Sequence, residues 1–251
     1  MQQRNNRPWV LISGAAGHAG QGIVMALHAA YRVRGFDVKS ALRCDESIIG
    51  SVTDLESCRR AMSGVTAVVI AHMAPNPQSY QPPFAGIDIN VRGAANLYQA
   101  AAEAGIRQVV LISSASVLSS DVPGSGLPAQ VHYAPKESLY SLTKAMQELL
   151  ACHYFDRWGV VTTVLRPSWI VREADGQTKY EGKIQREYSA DLIDPVDLGE
   201  AVRCCLQRPS HALEAFAVGQ PEYLDVAHTM QQLDWQPVHT FAALRRQSAE
   251  T

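Results

Sequence analysis

The sequence predicts an α/β fold, a doubly wound parallel sheet. Three observations carry that prediction. Short apolar runs alternate with longer helix-forming stretches, the pattern of βαβ units whose right-handed crossovers require parallel strands. The apolar runs are uniform rather than alternating, as in strands buried on both faces. A glycine-rich turn, Gly14-Ala-Ala-Gly17-His-Ala-Gly20, joins the first apolar run to the first helical stretch.

The elements follow in order. Trp9–Ser13 is an apolar run of buried-strand character. After the glycine turn a helix runs to about residue 30. Residues 38–42 are expected as the second strand. Thr53-Asp-Leu-Glu56 matches a capping box opening a short helix. Residues 67–71 form the third strand, and the four prolines within 75–83 make that segment a loop. A helix is expected over 87–104, with Gly105 as its C-cap. Residues 108–113 are the fourth strand. The stretch 115–136, rich in Pro, Gly and Ser, is expected to be mostly loop. A long helix covers 137–158 and stops at Gly159; the fifth strand is 160–166. Residues 167–193 are polar and irregular. Asp194-Pro195 places an N-cap acid before a proline at the first helical position, opening a helix to about residue 207. Residues 215–218 are a candidate sixth strand, followed by short helices.

Composition narrows the function classes. At 251 residues, the chain holds one large domain or one domain with an appendage, at roughly 150 residues per domain. An apolar share of 47 % and a net charge of −2 argue against disorder and against bulk attraction to nucleic acid or anionic membrane. No apolar run approaches the ~20 residues of a membrane helix, and the polar first eight residues lack a signal-peptide core. Cys44, Cys58, Cys152, Cys204 and Cys205 have no framework spacing, so reduced thiols and a cytoplasmic location are expected. The scattered histidines predict no metal site.

The glycine turn has the physics of a phosphate cradle. Gly14 allows the tight turn, Gly17 lets a pyrophosphate approach backbone, and Gly20 permits close helix–strand packing. Backbone amides near His18 and Ala19 then face the anion at a helix N-terminus. The expected ligand is a dinucleotide, NAD or NADP. An acid at the end of the second strand suits the ribose diol of NAD; an arginine suits the 2′-phosphate of NADP. With that strand at 38–42, the acid position falls on Leu42 with Arg43 next, which favours NADP.

Tyr140-Ser-Leu-Thr-Lys144 sets a phenol and an ammonium at i, i+4 on one helix face. A free phenol has a pKa of about 10; a cation at close range favours its ionised form. Tyr140 can then exchange a proton with a hydroxyl or carbonyl while hydride moves to or from the cofactor. Ser114, at the C-terminal end of the fourth strand, can polarise the same substrate oxygen. Ligands of doubly wound sheets bind at that end of the strands.

These residues resemble the short-chain dehydrogenase/reductase superfamily, specifically its extended branch of NAD-dependent epimerases, dehydratases and dehydrogenases. The resemblance runs from about Trp9 to Ala201, with the motifs in order. Ile12-Ser-Gly-Ala-Ala-Gly-His-Ala-Gly20 looks like the glycine motif, and Ala71-His-Met-Ala74 like the segment lining the cofactor. Asn90-Val-Arg-Gly-Ala-Ala-Asn-Leu97 is similar to a helix motif led by asparagine. Ile112-Ser-Ser-Ala-Ser-Val117 matches the serine strand, Tyr140 and Lys144 the catalytic pair, Leu165-Arg-Pro167 the segment near the nicotinamide, and Asp194-Pro-Val-Asp-Leu198 a late Val-Asp-Asp segment.

The resemblance implies a Rossmann-type domain over 9–166 after a loose tail at 1–8, and a reduced substrate-binding region over 167–251 interleaved with it. It implies Ser114, Tyr140 and Lys144 as the catalytic triad, with Lys144 also on the nicotinamide ribose. It places Gly14, Ala16, Gly17, His18, Ala19, Gly20, Arg43, Ser51, Val52, Ala71, His72, Met73, Asn90 and Pro167 at the cofactor. It also implies a homodimer through the helices at 87–104 and 137–158. The family's Gly-Asp before the third strand is Gly50-Ser51 here, so Ser51 stands where the adenine-binding acid would be. Only 30 residues separate Pro167 from Asp197, too few for a nucleotide-binding lobe. The layout is closest to compact uronate dehydrogenases, but Ala115-Ser116 replaces their Asn-His. The leading expectation is therefore an NAD(P)-dependent oxidoreductase of a small sugar or sugar acid. The alternatives are a nucleotide-sugar epimerase or dehydratase, and a non-catalytic NAD(P)-sensing protein. Arg172 and Arg186 fall in the shortened region and suit a carboxylate, although solvated arginines are the more common case.

Overall fold

The computed structural model describes residues 6–75, 83–118, 138–178, 183–208 and 210–249. The chain begins with β1 (Trp9–Ser13), whose four central and final residues are buried, and turns into α1 (His18–Leu27). β2 (Arg32–Asp37) and β3 (Glu46–Ile49) follow, then α2 (Leu55–Ala61) and β4 (Ala67–Ile70). A long helical stretch comprises α3 (Phe84–Gly86), a π-helical turn (Ile87–Arg92) and α4 (Gly93–Glu103). Next come β5 (Gln108–Ile112), a single 3-10 turn (Ala115–Val117), α5 (Leu139–Trp158) and β6 (Val161–Pro167). The last third holds β7 (Trp169–Ile170), β8 (Leu192–Ile193), α6 (Pro195–Gln207), β9 (Glu214–Val218), α7 (Ala227–Leu233) and α8 (Ala242–Ala249).

Seven strands form one sheet in the order β3-β2-β1-β4-β5-β6-β9, and every pair in it is parallel. This is the doubly wound sheet that the sequence predicts. Alternate residues of each strand face opposite helical layers. Val10 and Ile12 pack with Val24 and Leu27 of α1 and Leu198 and Val202 of α6. Leu11 packs the other way, with Met62, Leu97 and Tyr98. α1 and α6 touch almost backbone to backbone. A Cβ at Gly22 would lie 2.2 Å from the Pro195 carbonyl oxygen, and one at Gly199 2.7 Å from the Gly22 carbonyl oxygen.

Three expectations are corrected. The second strand is Arg32–Asp37, not 38–42. Its arginines hide it from an apolar search: Arg32 stacks on the Trp9 ring at 4.0 Å, and Arg34 pairs with Glu46 of β3 at 2.7 Å. β3 is a half-exposed edge strand, with Ile49 65 % exposed. The cap of α2 is Asp54, whose carboxylate accepts from the amides of Glu56 and Ser57, while Thr53 bonds Ser51 instead. The stretch 167–193 is not wholly irregular, because β7 and β8 pair within it. By contrast, Asp194 caps α6 with Pro195 behind it, and Gly159 ends α5 in the left-handed conformation at φ 63°, both as predicted. Most of the expected loops at 75–83 and 115–136 lies outside the described residues. Among the described residues no helix is long and apolar enough to cross a membrane.

Candidate active site

The glycine turn sits between β1 and α1 at the C-terminal edge of the sheet. Gly14 has φ +73°, and its amide donates to the Phe36 carbonyl at 2.9 Å. A side chain here would also strike backbone, since a Cβ would lie 2.6 Å from the His72 Cα. Gly17 opens α1 in an extended conformation, and no side chain caps the helix. The first amides of α1, at His18, Ala19 and Gly20, thus keep the partial positive charge of a helix start. His18 is half-buried; burial, and then the Arg172 charge, lowers its pKa. Arg172 is therefore close enough for its field to reach the glycine turn.

The observed position of β2 changes which residue stands beside the glycine turn. The residue at its C-terminus is Asp37, not Leu42. The Asp37 carboxylate accepts from the Ala16 amide at 3.1 Å and from the Lys39 amide at 3.1 Å. Sequence reasoning missed it because the strand itself was misplaced. Arg43 lines a cleft beside the turn with Ala15, Ala16, Gln21 and Ser40, its guanidinium against the Met25 sulfur at 3.0 Å. Ser51 bonds the Thr53 hydroxyl at 2.8 Å. Val52 is buried, and its carbonyl accepts from Asn96 at 2.9 Å.

After β4, Ala71 and Met73 are half-buried while His72 is buried at 5 % exposure. Its Nε2 is 3.0 Å from the Ile89 carbonyl, which can only accept. Its Nδ1 is then the acceptor for the Ser13 hydroxyl, 3.0 Å away. Burial, then the Lys144 charge, pushes its pKa down to about 3. His72 is a neutral strut beside the glycine turn, joining β1 to the π-helical turn. A folded-state pKa below that of the unfolded chain gives stability that is present above pH 6.5 and is lost as pH falls toward about 3. Thermal stability across this range should therefore fall on acidification. In His72→Gln that decline should be shallower, by up to about 1.4 kcal/mol per pH unit. Equal slopes in both proteins would remove His72 as the cause.

Asn90 is fully buried in the π-helical turn. Its side-chain oxygen accepts from the Ala74 amide at 2.7 Å, its Nδ2 donates to the Thr143 hydroxyl at 2.9 Å, and its carbonyl accepts from Gln147 at 2.8 Å. It ties the segment after β4 to α5, and π-turns of this kind gather at functional sites.

Tyr140 stands half-buried in the first turn of α5. Lys144, 3 % exposed, donates from Nζ to the Ile112 carbonyl at 2.7 Å and lies 5.9 Å from the centre of the Tyr140 ring. Ser114 lies two residues past the end of β5, half-buried, its hydroxyl accepting from the Ser116 amide at 3.2 Å and the Ser116 hydroxyl at 3.0 Å. The neighbouring Ser113 is 1 % exposed and turned the other way, donating to Glu148 at 2.5 Å. Pro167 ends β6 beside Val218. The structure thus gathers Ser114, Tyr140, Lys144 and the glycine turn at one edge of the sheet. What the sequence did not offer is the pair beneath them, Glu148 and Arg166, bonded at 2.8 Å with both side chains buried.

Known proteins resemble this chain over most of its length. Residues 10–203 match the NAD dependent epimerase/dehydratase family. The chain is 26 % identical to an L-arabinose 1-dehydrogenase (NAD(P)(+)) of Haloferax volcanii, across 91 % of this chain and 95 % of that one. A short-chain dehydrogenase/reductase superfamily protein of Agrobacterium tumefaciens with bound NAD superposes with a TM-score of 0.78 at 19 % identity, covering 96 % of each chain. Uronate dehydrogenase of the same organism gives 0.73 at 21 % identity, covering 98 % of this chain and 90 % of that one. With more than half its length in register with that family and its fold the same, the chain belongs to the NAD dependent epimerase/dehydratase family.

Proposed function

We propose that the protein is an NAD-dependent oxidoreductase of a small sugar or sugar acid, working through Ser114, Tyr140 and Lys144. One observation carries the reading. A buried lysine is fastened to the last carbonyl of β5 while its charge faces the ring of a tyrosine one helical turn away. An ammonium held there favours the phenolate. Tyr140 then takes the proton from a substrate hydroxyl, and Ser114 holds the same oxygen. Bound oxidised nicotinamide supplies the hydride acceptor.

The residues present fit that group. The start of α1, without a side-chain cap, suits the pyrophosphate, and Asp37 suits the ribose diol. A carboxylate beside the Ala16 amide repels a 2′-phosphate, so the earlier preference for NADP gives way to one for NAD. Fluorescence titration should find NADH bound at least about 10-fold more tightly than NADPH, with Asp37→Ser erasing most of the difference. Equal affinities in the native protein would remove Asp37 from this role. The name of the Haloferax relative and the short stretch between β6 and α6 support a small substrate. A homodimer is part of the same proposal, supported by Leu149 of α5 at 64 % exposure, as is a cytoplasmic setting.

The test is a panel of aldoses, uronates and hydroxy acids with NAD, read by absorbance of the reduced nicotinamide. Turnover of an aldose or uronate is the expected result. NAD that stays bound through purification, with epimerisation of a nucleotide sugar, would replace the proposal. Cofactor binding with no turnover on any substrate would favour a sensing role.

A further inference from the structure

Arg166 heads the large side chains that are fully buried among the described residues, at 1 % exposure. It projects from β6 onto Glu148 of α5. Its Nε donates to Oε1 at 3.1 Å and its Nη2 to Oε2 at 2.8 Å. The Ser113 hydroxyl donates to the same Oε1 at 2.5 Å. One carboxylate thus gathers donors from the ends of two adjacent strands. No step of the chemistry above uses them.

Stability alone is a poor account of this cluster. Buried ion pairs replaced by apolar side chains of similar volume often leave a protein as stable or more so. The pair offers direction instead, because a two-point guanidinium–carboxylate contact fixes angle and height together. α5 has need of that. The face it buries is made of Ser141, Thr143, Lys144, Gln147, Glu148, Ala151 and Tyr154, which offers no continuous apolar ridge to set its register. Lys144 and Glu148 lie one turn apart on that face. They are held by Ile112 and Ser113, consecutive at the end of β5. Ser114 is the next residue. Two successive turns of α5 are therefore fastened to the last residue of β5 and the one after it, immediately before the active-site serine.

We propose that Glu148, Arg166 and Ser113 are positioning residues which set the height and rotation of α5, so that Tyr140 and Lys144 stand correctly over Ser114. The inference rests on the catalytic reading of that site. The test is the double substitution Glu148→Leu with Arg166→Met in the full chain. The variant should remain folded and bind NADH within about 3-fold of the native protein. Its kcat should fall by at least about 10-fold at nearly unchanged KM, because small displacements of reacting groups are costly. Native kcat in the folded variant would overturn the proposal. Should the double variant not fold, Ser113→Ala removes a single donor and leaves the ion pair. A lowered kcat at unchanged KM then supports the proposal, and an unchanged kcat overturns it. A crystal structure of the double variant separates this inference from the catalytic reading. If the native protein turns over no substrate, that reading fails by itself. The positioning claim is then decided by the 2.7 Å contact from Lys144 to Ile112: its loss supports the claim and its survival refutes it.

Discussion

Replacing Tyr140 by phenylalanine should reduce turnover by about 1,000-fold, within the range expected for removing a general acid–base group. Cofactor binding should barely change. The phenol stands at the first turn of α5, and the residues proposed to anchor the cofactor lie at the start of α1 and the end of β2. Nor should the fold suffer, because the ring is only half-buried and its neighbour Lys144 keeps its bond to Ile112. Initial rates together with NADH fluorescence titration check both halves. Turnover near the native rate would exclude proton transfer through Tyr140, and weakened NADH binding would mean that the phenol belongs to the cofactor pocket.

The largest effect on stability should come from Arg166→Met alone. The guanidinium and the Glu148 carboxylate are 1 % and 2 % exposed. Removing one partner strands the other charge away from water, at a cost of about 3–5 kcal/mol. Whole-domain stabilities are about 5–15 kcal/mol, so the loss is a large fraction. For a chain of this size it corresponds to a melting point lower by roughly 6–20 °C. Adding Glu148→Leu should recover most of the deficit, since the two substitutions share one interaction and cannot be additive. Calorimetry on the three variants gives the cycle. Equal melting points for native and Arg166→Met proteins would show that Glu148 has another partner sufficient to hold it.

Elements that read clearly from sequence are those whose residues obey one local rule. β1, β4 and β5 carry unbroken apolar runs, Val10–Ile12, Ala67–Ile70 and Val109–Ile112, that are buried on both faces. The start of α6 and the end of α5 carry cap residues with fixed geometry. Elements that escaped depend on partners distant in sequence. β2 carries half-buried arginines satisfied by Trp9, by β3 and by a carbonyl at the end of α2, so an apolar search places its end, Asp37, five residues late. α5 inverts the usual pattern, burying Lys144, Gln147 and Glu148 while Leu149 is exposed; a search for apolar stripes selects the wrong face. At the candidate site the i, i+4 step from Tyr140 to Lys144 was legible. Its continuation to Glu148 was equally available, but only the bond to Arg166 on another strand gives that step a meaning.

The contact between Gly22 and Gly199 has a bearing on how the chain is made. α1 emerges from the ribosome well before the surface that covers it, α6, which is translated only after β6 is complete. Through most of synthesis the apolar flank of α1, with Val24 and Leu27, has no α6 beside it. An amino-terminal fragment ending at β6 would carry every motif of a nucleotide-binding unit and still lack the helix that seals its first one. Such a fragment should be a client for chaperones rather than an autonomous domain. Exchange of the carboxy-terminal region between relatives would succeed only where the small residues of both helices travel together.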